Sequence, residues 1–361
     1  MADPRIERFA RILVDYSMKV EAGDTVVVNG SELAAPLIRA VHRLLLEREA
    51  HPIVHVALTG LQEDYMSAAS GSELAYLSPV QKFESEHLDA VCNILSSANT
   101  RSLSGVAPER QATARKTRKQ VLDIILQKRW TLTLYPTEAY AQDADMSLSD
   151  FEDFVFGSVF ADRDDPVAAW NEIHALQDRL IDRIQGGREV HIVGPGTDIK
   201  LSIDGRTFIN SDGKHNMPSG EIFTGPVEDR TEGEVTFSFP ACYSGREVEG
   251  VRLVFREGRV VEATAKKNEE FLHTMLDMDE GGRILGELGI GTNFGISRFT
   301  KNILFDEKIG GTIHLAVGSA YPETGGTNKS ALHWDMICDL RQGGEIRVDG
   351  ELFQKDGKFV E

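Results

Sequence analysis

Cysteine is scarce in this sequence: Cys92, Cys242 and Cys338 are the only three in a chain of 361 residues. They lie far apart and form no CxxC pair, which excludes a disulfide framework and a thiolate zinc site. A reducing, intracellular setting follows as the expectation, with the cytoplasm as its compartment. Positive charge is also short. Thirty-nine Lys and Arg stand against 57 Asp and Glu, a formal net charge of −18. The Lys/Arg density that nucleic acid or an anionic membrane surface demands is therefore missing. No apolar run approaches the roughly 18 residues of a transmembrane helix. The amphipathic opening stretch MADPRIERFARILVDYSMKV lacks a basic segment followed by an apolar core, so no signal peptide is expected. Nucleotide fingerprints are absent too. VNGSELAAP sits between a strand and a helix but contains neither G-x-G-x-x-G nor G-x-x-x-x-G-K-[ST]. GPGTD reads as a β-turn.

What is present is an ordinary globular composition, 41% hydrophobic and 27% charged, over a length that suggests about two domains. Helix and strand alternate through the first half. Ile6, Phe9, Ala10, Leu13 and Met18 recur at helical spacing; DTVVVNG is a short apolar strand of the kind buried on both faces. Strands at PIVHVAL, DAVCNILSS and WTLTLYPT are separated by helices at ELAAPLIRAVHRLLLERE and PERQATARKTRKQVLDIILQ. That alternation implies crossover units and a mostly parallel sheet. A later helix has Asp165 as N-cap, Pro166 at its first position and a Gly186-Gly187 stop. The domain boundary is set there, giving an α/β domain over residues 1–187 and a second domain over residues 188–361. The second half reads as α+β with a largely antiparallel sheet, with turns at REGR and VDGE and one helix around NEEFLHTMLDM.

The chemistry gathers in that second half. In SALHWDMICDL, His333 and Asp335 are two apart on an apolar strand and therefore share a face. In GGTIHLAVG, His314 shares a face with Thr312 and Ala316, while Ile313, Leu315 and Val317 take the other. Two strands thus each aim an imidazole in one direction, and imidazole with carboxylate is an ordinary ligand set for first-row metals. Three more carboxylates lie in apolar or Gly-flanked surroundings: Glu221 in SGEIFTGP, Glu287 in LGELGIG and Glu307 in LFDEKIGG. A buried carboxylate is costly unless it is paired or binds metal. Asp306 competes with Glu307, and spacing does not choose between them. Two His and four carboxylates exceed the three ligands of a typical catalytic zinc. They suit two divalent ions about 3.5–4 Å apart.

The stretches PSGEIFTGPVED, GELGIGTN, LFDEK, IHLAVGSAYPETGG and NKSALHWDM, in this order, resemble the thermophilic-type aminopeptidases, the aminopeptidase T, AmpS and PepS group. GDTVVVNG and SLSDFEDFVF extend the resemblance over nearly the whole chain. It implies a dinuclear metallo-exopeptidase acting on peptides with a free N-terminus, with a metal-bearing C-terminal domain, usually homodimeric. It implies Glu221, Glu287, Glu307, His314, His333 and Asp335 as ligands of two divalent ions (zinc, cobalt, manganese or magnesium). Tyr321, seven residues after His314, matches the family's active-site tyrosine. On such a mechanism a carboxylate, Glu287 or Glu221, is the candidate to shuttle the proton to the leaving amine, and the sequence does not choose between them.

Two other readings compete. His314, His333 and Asp335 alone would form the two-His, one-carboxylate triad of a non-haem Fe(II) dioxygenase that cleaves aromatic rings. Such an enzyme has no need of Glu221, Glu287 and Glu307. The other rival is a metal-stabilised binding protein with a closed site, against which Tyr321 and the Gly-rich loops argue.

Overall fold

Val26, Val27 and Val28 are buried at the centre of strand Thr25–Ser31, which the apolar run DTVVVNG specifies. This strand lies inside a five-stranded parallel sheet in the order His51–Ala57, Thr25–Ser31, Ala90–Leu95, Arg129–Leu134, Asn216–Met217. The computed structural model describes residues 3–243 and 245–360. Contacts divide it into two compact units, Met1–Trp170 with Gly213–Pro218, and Asn171–Asp212 with Ser219–Glu361.

Helices of the first unit start where local chemistry says they should. Pro36 falls in the first turn of Ala35–Glu47, where a missing N–H costs nothing. Ser147 Oγ accepts the Asp150 N–H at 3.1 Å to open Leu148–Ser158. The first helical stripe departs from a plain α-helix: Pro4–Arg11 continues as a π-helix over Ile12–Ser17. Short helices at Leu61–Ala68, Pro79–His87 and Glu138–Asp143 have no strong apolar period and were not expected from the sequence.

The division between units falls inside helix Pro166–Ile184, after Trp170, rather than at the Gly186-Gly187 stop. Trp170 packs beside Tyr16 and Phe160 and donates its Nε1–H to the Val159 carbonyl, all in the first unit. Leu180 and Ile184, further along the same helix, join the core of the second. The strand Asn216–Met217 also belongs to the first unit. The hydroxyls of Thr131 and Thr133 donate to the carbonyls of His215 and Met217, and Trp130 stacks on His215 with centroids 4.5 Å apart.

The second unit holds two antiparallel sheets and a two-stranded ribbon. The larger has eight strands and runs from Arg259–Thr264 at one edge to Lys358–Phe359 at the other. The smaller has five, named here β1 (Ile209–Ser211), β2 (Glu221–Thr224), β3 (Leu285–Gly291), β4 (Thr312–Gly318) and β5 (His333–Asp339). Its order is β5-β4-β3-β2-β1. Strand alternation partitions this small sheet. Ile222, Leu288, Ile290, Ile313, Leu315, Val317, Trp334 and Met336 enter one hydrophobic core with Val190, Ile192, Ile199, Leu201 and Phe255 of the larger sheet. Each such side chain contributes about 1.5–3 kcal/mol over exposure. The intervening residues of β2 to β5 carry the polar groups.

Candidate metal centre

On the polar face, register brings the chemistry into rows. Ala316 of β4 pairs with Glu287 of β3 on one side and with Asp335 of β5 on the other. Two carboxylates therefore flank one methyl group. Gly318 pairs with His333, and Gly289 pairs with His314 and with Phe223. Gly291 pairs with Glu221. Glu307 comes from outside the sheet, as the residue that ends the short helix Ile303–Asp306.

Six residues expected from the sequence converge here. The ligand atoms of Glu287, His333 and Asp335 all lie within 4.8 Å of one another, and so do those of Glu307, His314 and Asp335. Asp335 belongs to both groups. Glu221 falls outside both triplets but stands beside His314, its Oε2 3.6 Å from Nδ1. Asp306 turns away: its Oδ1 accepts the N–H and hydroxyl of Thr300 at 2.7 and 2.9 Å. Burial raises Asp306 to a pKa of about 7 despite those bonds.

Both imidazoles are oriented by backbone carbonyls. Nδ1 of His314 lies 3.1 Å from the Glu307 carbonyl oxygen, and Nδ1 of His333 lies 2.8 Å from that of Ser319. A carbonyl only accepts, so each Nδ1 carries the hydrogen and each Nε2 turns toward carboxylates. Nε2 of His314 is 3.4 Å from Glu287 Oε1 and 3.9 Å from Asp335 Oδ1. Nε2 of His333 is 3.2 Å from Glu287 Oε2 and 3.4 Å from Asp335 Oδ1. Pinning Nδ1–H to an acceptor while Nε2 faces the centre is how metal-ligating histidines are held.

The electrostatics are those of a cation site. His314 and Glu287 are 1% and 4% exposed. Asp335 Oδ1 and Glu221 Oε2 are buried and meet only imidazole nitrogens, at 3.4 and 3.6 Å, without the geometry of a hydrogen bond. Acceptor-only oxygens left unpaired in an interior are what a divalent ion satisfies, so the donor set fits metal. Without one, the protein balances its own charges. Burial works against ionisation of Asp335, but the His333 imidazolium overrides it and holds the carboxyl at a pKa of about 2. Burial likewise opposes charge on His333, and Asp335 with Glu287 lifts it to about 11. Burial resists ionisation of Glu287 too, and its bonds to the two imidazoles win, leaving it below its usual range. In Glu221 burial prevails and raises the pKa.

The structure adds three residues that the sequence did not single out. Lys308 is fully buried; its Nζ contacts the Glu307 carboxylate and lies 3.8 Å from Glu221 Oε1. A lysine beside Glu307 reads as solvated charge, and only the apolar Ile309-Gly310-Gly311 that follows hints otherwise. Gly289 lies directly under His314, where any β-carbon would strike the ring. Behind Glu221, the buried Gln177 amide donates to the carbonyls of Ser211 and Glu221, both at 3.0 Å, fixing the start of β2.

Tyr321 stands at the rim. Its ring meets His333 and Phe223 edge-on, at centroid distances of 5.2 and 5.4 Å. Burial and then the carboxylates of Glu287, Asp335 and Glu221 push the phenol well above its ordinary pKa, so it stays protonated. The side chain is nevertheless 40% exposed, open to an incoming molecule.

Over residues 2–359 the chain matches the sequence profile of the thermophilic metalloprotease (M29) family. Aminopeptidase 2 of Geobacillus stearothermophilus is 29% identical, across 99% of this chain and 95% of that protein. Aminopeptidase PepS of Streptococcus thermophilus is 27% identical across 98% and 95%. Among solved structures, wild-type AmpT from Thermus thermophilus superimposes with a TM-score of 0.85 at 22% identity, covering 99% of both chains. A 2,5-dihydroxypyridine dioxygenase from Pseudomonas putida KT2440 gives 0.60 at 15% identity, covering 98% of this chain and 96% of that one. Both structural likenesses are likenesses of fold, and the architecture expected from the sequence is that of the first.

Proposed function

Because the chain belongs to the thermophilic metalloprotease (M29) family and is a metallo-aminopeptidase, we propose that it removes N-terminal amino acids from peptides at a dinuclear centre. The observation that carries this reading is the pair of ligand triplets joined at Asp335. Glu287, His333 and Asp335 would hold one divalent ion, and Glu307, His314 and Asp335, with Glu221 beside His314, would hold the other. When bound, a pair of such ions supplies water acidic enough to attack at neutral pH and a Lewis acid for the scissile carbonyl.

The chain's own groups do the rest. A carboxylate of the cluster receives the substrate's α-ammonium group, which makes a free N-terminus a requirement. Tyr321 donates its phenolic hydrogen to the oxygen that becomes negative as the carbonyl is attacked. Glu287 carries the proton from the attacking water to the leaving amine. Phe223 and Tyr321 give the mouth of the site an aromatic wall suited to apolar side chains such as leucine. A homodimer in the cytoplasm completes the reading; among the described residues no helix is long and apolar enough to cross a membrane.

The test is metal content measured beside hydrolysis. Protein reconstituted with excess zinc or cobalt should hold two ions per chain. It should cleave leucine p-nitroanilide and leave the N-acetylated analogue intact. One iron per chain, dioxygen consumption and no amide hydrolysis would sink this reading and favour ring cleavage.

A further inference from the structure

Lys308 has no part in the mechanism above, yet it is a lysine with none of its surface exposed. An ammonium group out of water is costly unless its charge is met. Asp335, Glu287 and Asp306 act on it from further off, and the carboxylates within ion-pair reach are Glu307 and Glu221. Nζ contacts the Glu307 carboxylate and lies 3.8 Å from Glu221 Oε1; a Glu307 carboxylate oxygen lies within 4.8 Å of a His314 ring nitrogen, and Glu221 Oε2 lies 3.6 Å from His314 Nδ1. Among the described residues Lys308 makes its ion pairs with Glu307 and Glu221, and none with Glu287 of the other triplet. The backbone holds the lysine in place: its N–H donates to the Phe305 carbonyl and its own carbonyl accepts the Asn293 N–H, at 3.0 and 3.1 Å.

We propose that Lys308 is a positioning residue for one half of the metal centre, gripping Glu307 and Glu221 so that each turns an oxygen toward the ion that His314 binds. The proposal rests on the dinuclear reading and assigns the lysine to one of its two sites. A fixed cation near a metal also repels it. Repulsion does not decide the sign here, because four carboxylates already match the charge of two divalent ions, so the lysine leaves the loaded centre with a single positive charge. Loss of an outer partner that orients a ligand typically weakens metal affinity 10- to 100-fold.

Calorimetric titration of metal-free protein with Zn²⁺, with bound metal counted independently, tests this. In Lys308→Met one of the two binding steps should weaken by 10- to 100-fold while the other holds its affinity, and Lys308→Arg should recover part of the loss. In a Glu221→Gln/Glu307→Gln background, Lys308→Met should change the remaining affinity by less than threefold, because both of its objects are already gone. Equal weakening of both steps, or tighter binding, would overturn the proposal. If Lys308→Met does not fold, Lys308→Gln, which keeps a donor for Glu307, carries the comparison. There the positioning role requires a smaller loss confined to the same step, and loss at both steps overturns it. A wild-type chain that binds a single ion contradicts the dinuclear reading instead. In that case the lysine variants still decide whether Lys308 holds the ligands of that ion.

Discussion

The imidazole of His314 lies against the bare α-carbon of Gly289, its cross-strand partner: a β-carbon on Gly289 would sit 1.9 Å from ring atom Cε1. The imidazole of one strand occupies space left by its neighbour's missing side chain. Gly289→Ala should therefore push the ring off its bond to the Glu307 carbonyl. Misplacement by about 1 Å costs on the order of 100-fold in rate. Metal content and kcat of a variant with an unchanged circular dichroism spectrum are the measurements; wild-type values for both would refute the contact.

Glu287 faces both imidazoles, with Oε1 toward His314 and Oε2 toward His333. Glu287→Gln keeps the shape and loses the base. The expected result is a fall in kcat of roughly 10²- to 10⁴-fold. Hydrolysis of aminoacyl anilides at the normal rate, with two ions still bound, would show that another group carries the proton.

Tyr321→Phe removes one hydroxyl and keeps the edge-on packing against Phe223 and His333. An oxyanion donor of this kind is worth about 3 kcal/mol. The prediction is a drop in kcat of about 100-fold with KM and metal stoichiometry nearly unchanged. An effect confined to KM would make Tyr321 a substrate-binding wall only.

Metal uptake should release protons. In the metal-free protein the carboxylates raise both imidazoles against the opposing effect of burial, His333 to a pKa of about 11. Ligation through Nε2 requires them neutral. Titrations at pH 7.5 in buffers of different ionisation enthalpy should thus report proton release on binding, and affinity should fall as pH falls. No release would mean that the imidazoles are not ligands.

The same pair sets the pH dependence of the empty protein. His333 is raised from 6.5 to about 11, so its contribution is complete below pH 6.5 and fades as pH climbs toward 11. Asp335 is lowered from 3.8 to about 2, so its contribution is complete above about pH 4 and disappears as pH falls toward 2. Between these limits His333→Ala should destabilise the metal-free protein most. Thermal unfolding measured from pH 4 to 10 should show the gap between wild type and variant narrowing at the alkaline end.

The sequence displayed His314 and the His333–Asp335 pair because alternation on a strand leaves a two-residue signature: Ile313, Leu315 and Val317 declare the core face, and the histidine falls opposite. It displayed helix Pro166–Ile184 because Asp165, Pro166 and Gly186 mark both ends; Asp165 Oδ1 does accept the Ala168 N–H at 3.1 Å. Other features depend on partners distant in sequence. Asp306 and Glu307 separate only through Thr300, which takes the first and leaves the second. Gly289 and Lys308 gain meaning from β4 and β2, across the sheet. Asn216–Met217 is two residues long, too short to show any period, and its attachment depends on Trp130 and Thr133.

Residues that alternate along β3, β4 and β5 belong by turns to the hydrophobic interior and to the candidate metal centre. A slip of one residue in their pairing would turn the histidines and carboxylates into the apolar interior and the leucines out of it. No gradual path therefore leads between a misthreaded sheet and a working one. In such a protein an assay for turnover doubles as an assay for correct folding, and selection for activity polices the interior at the same time.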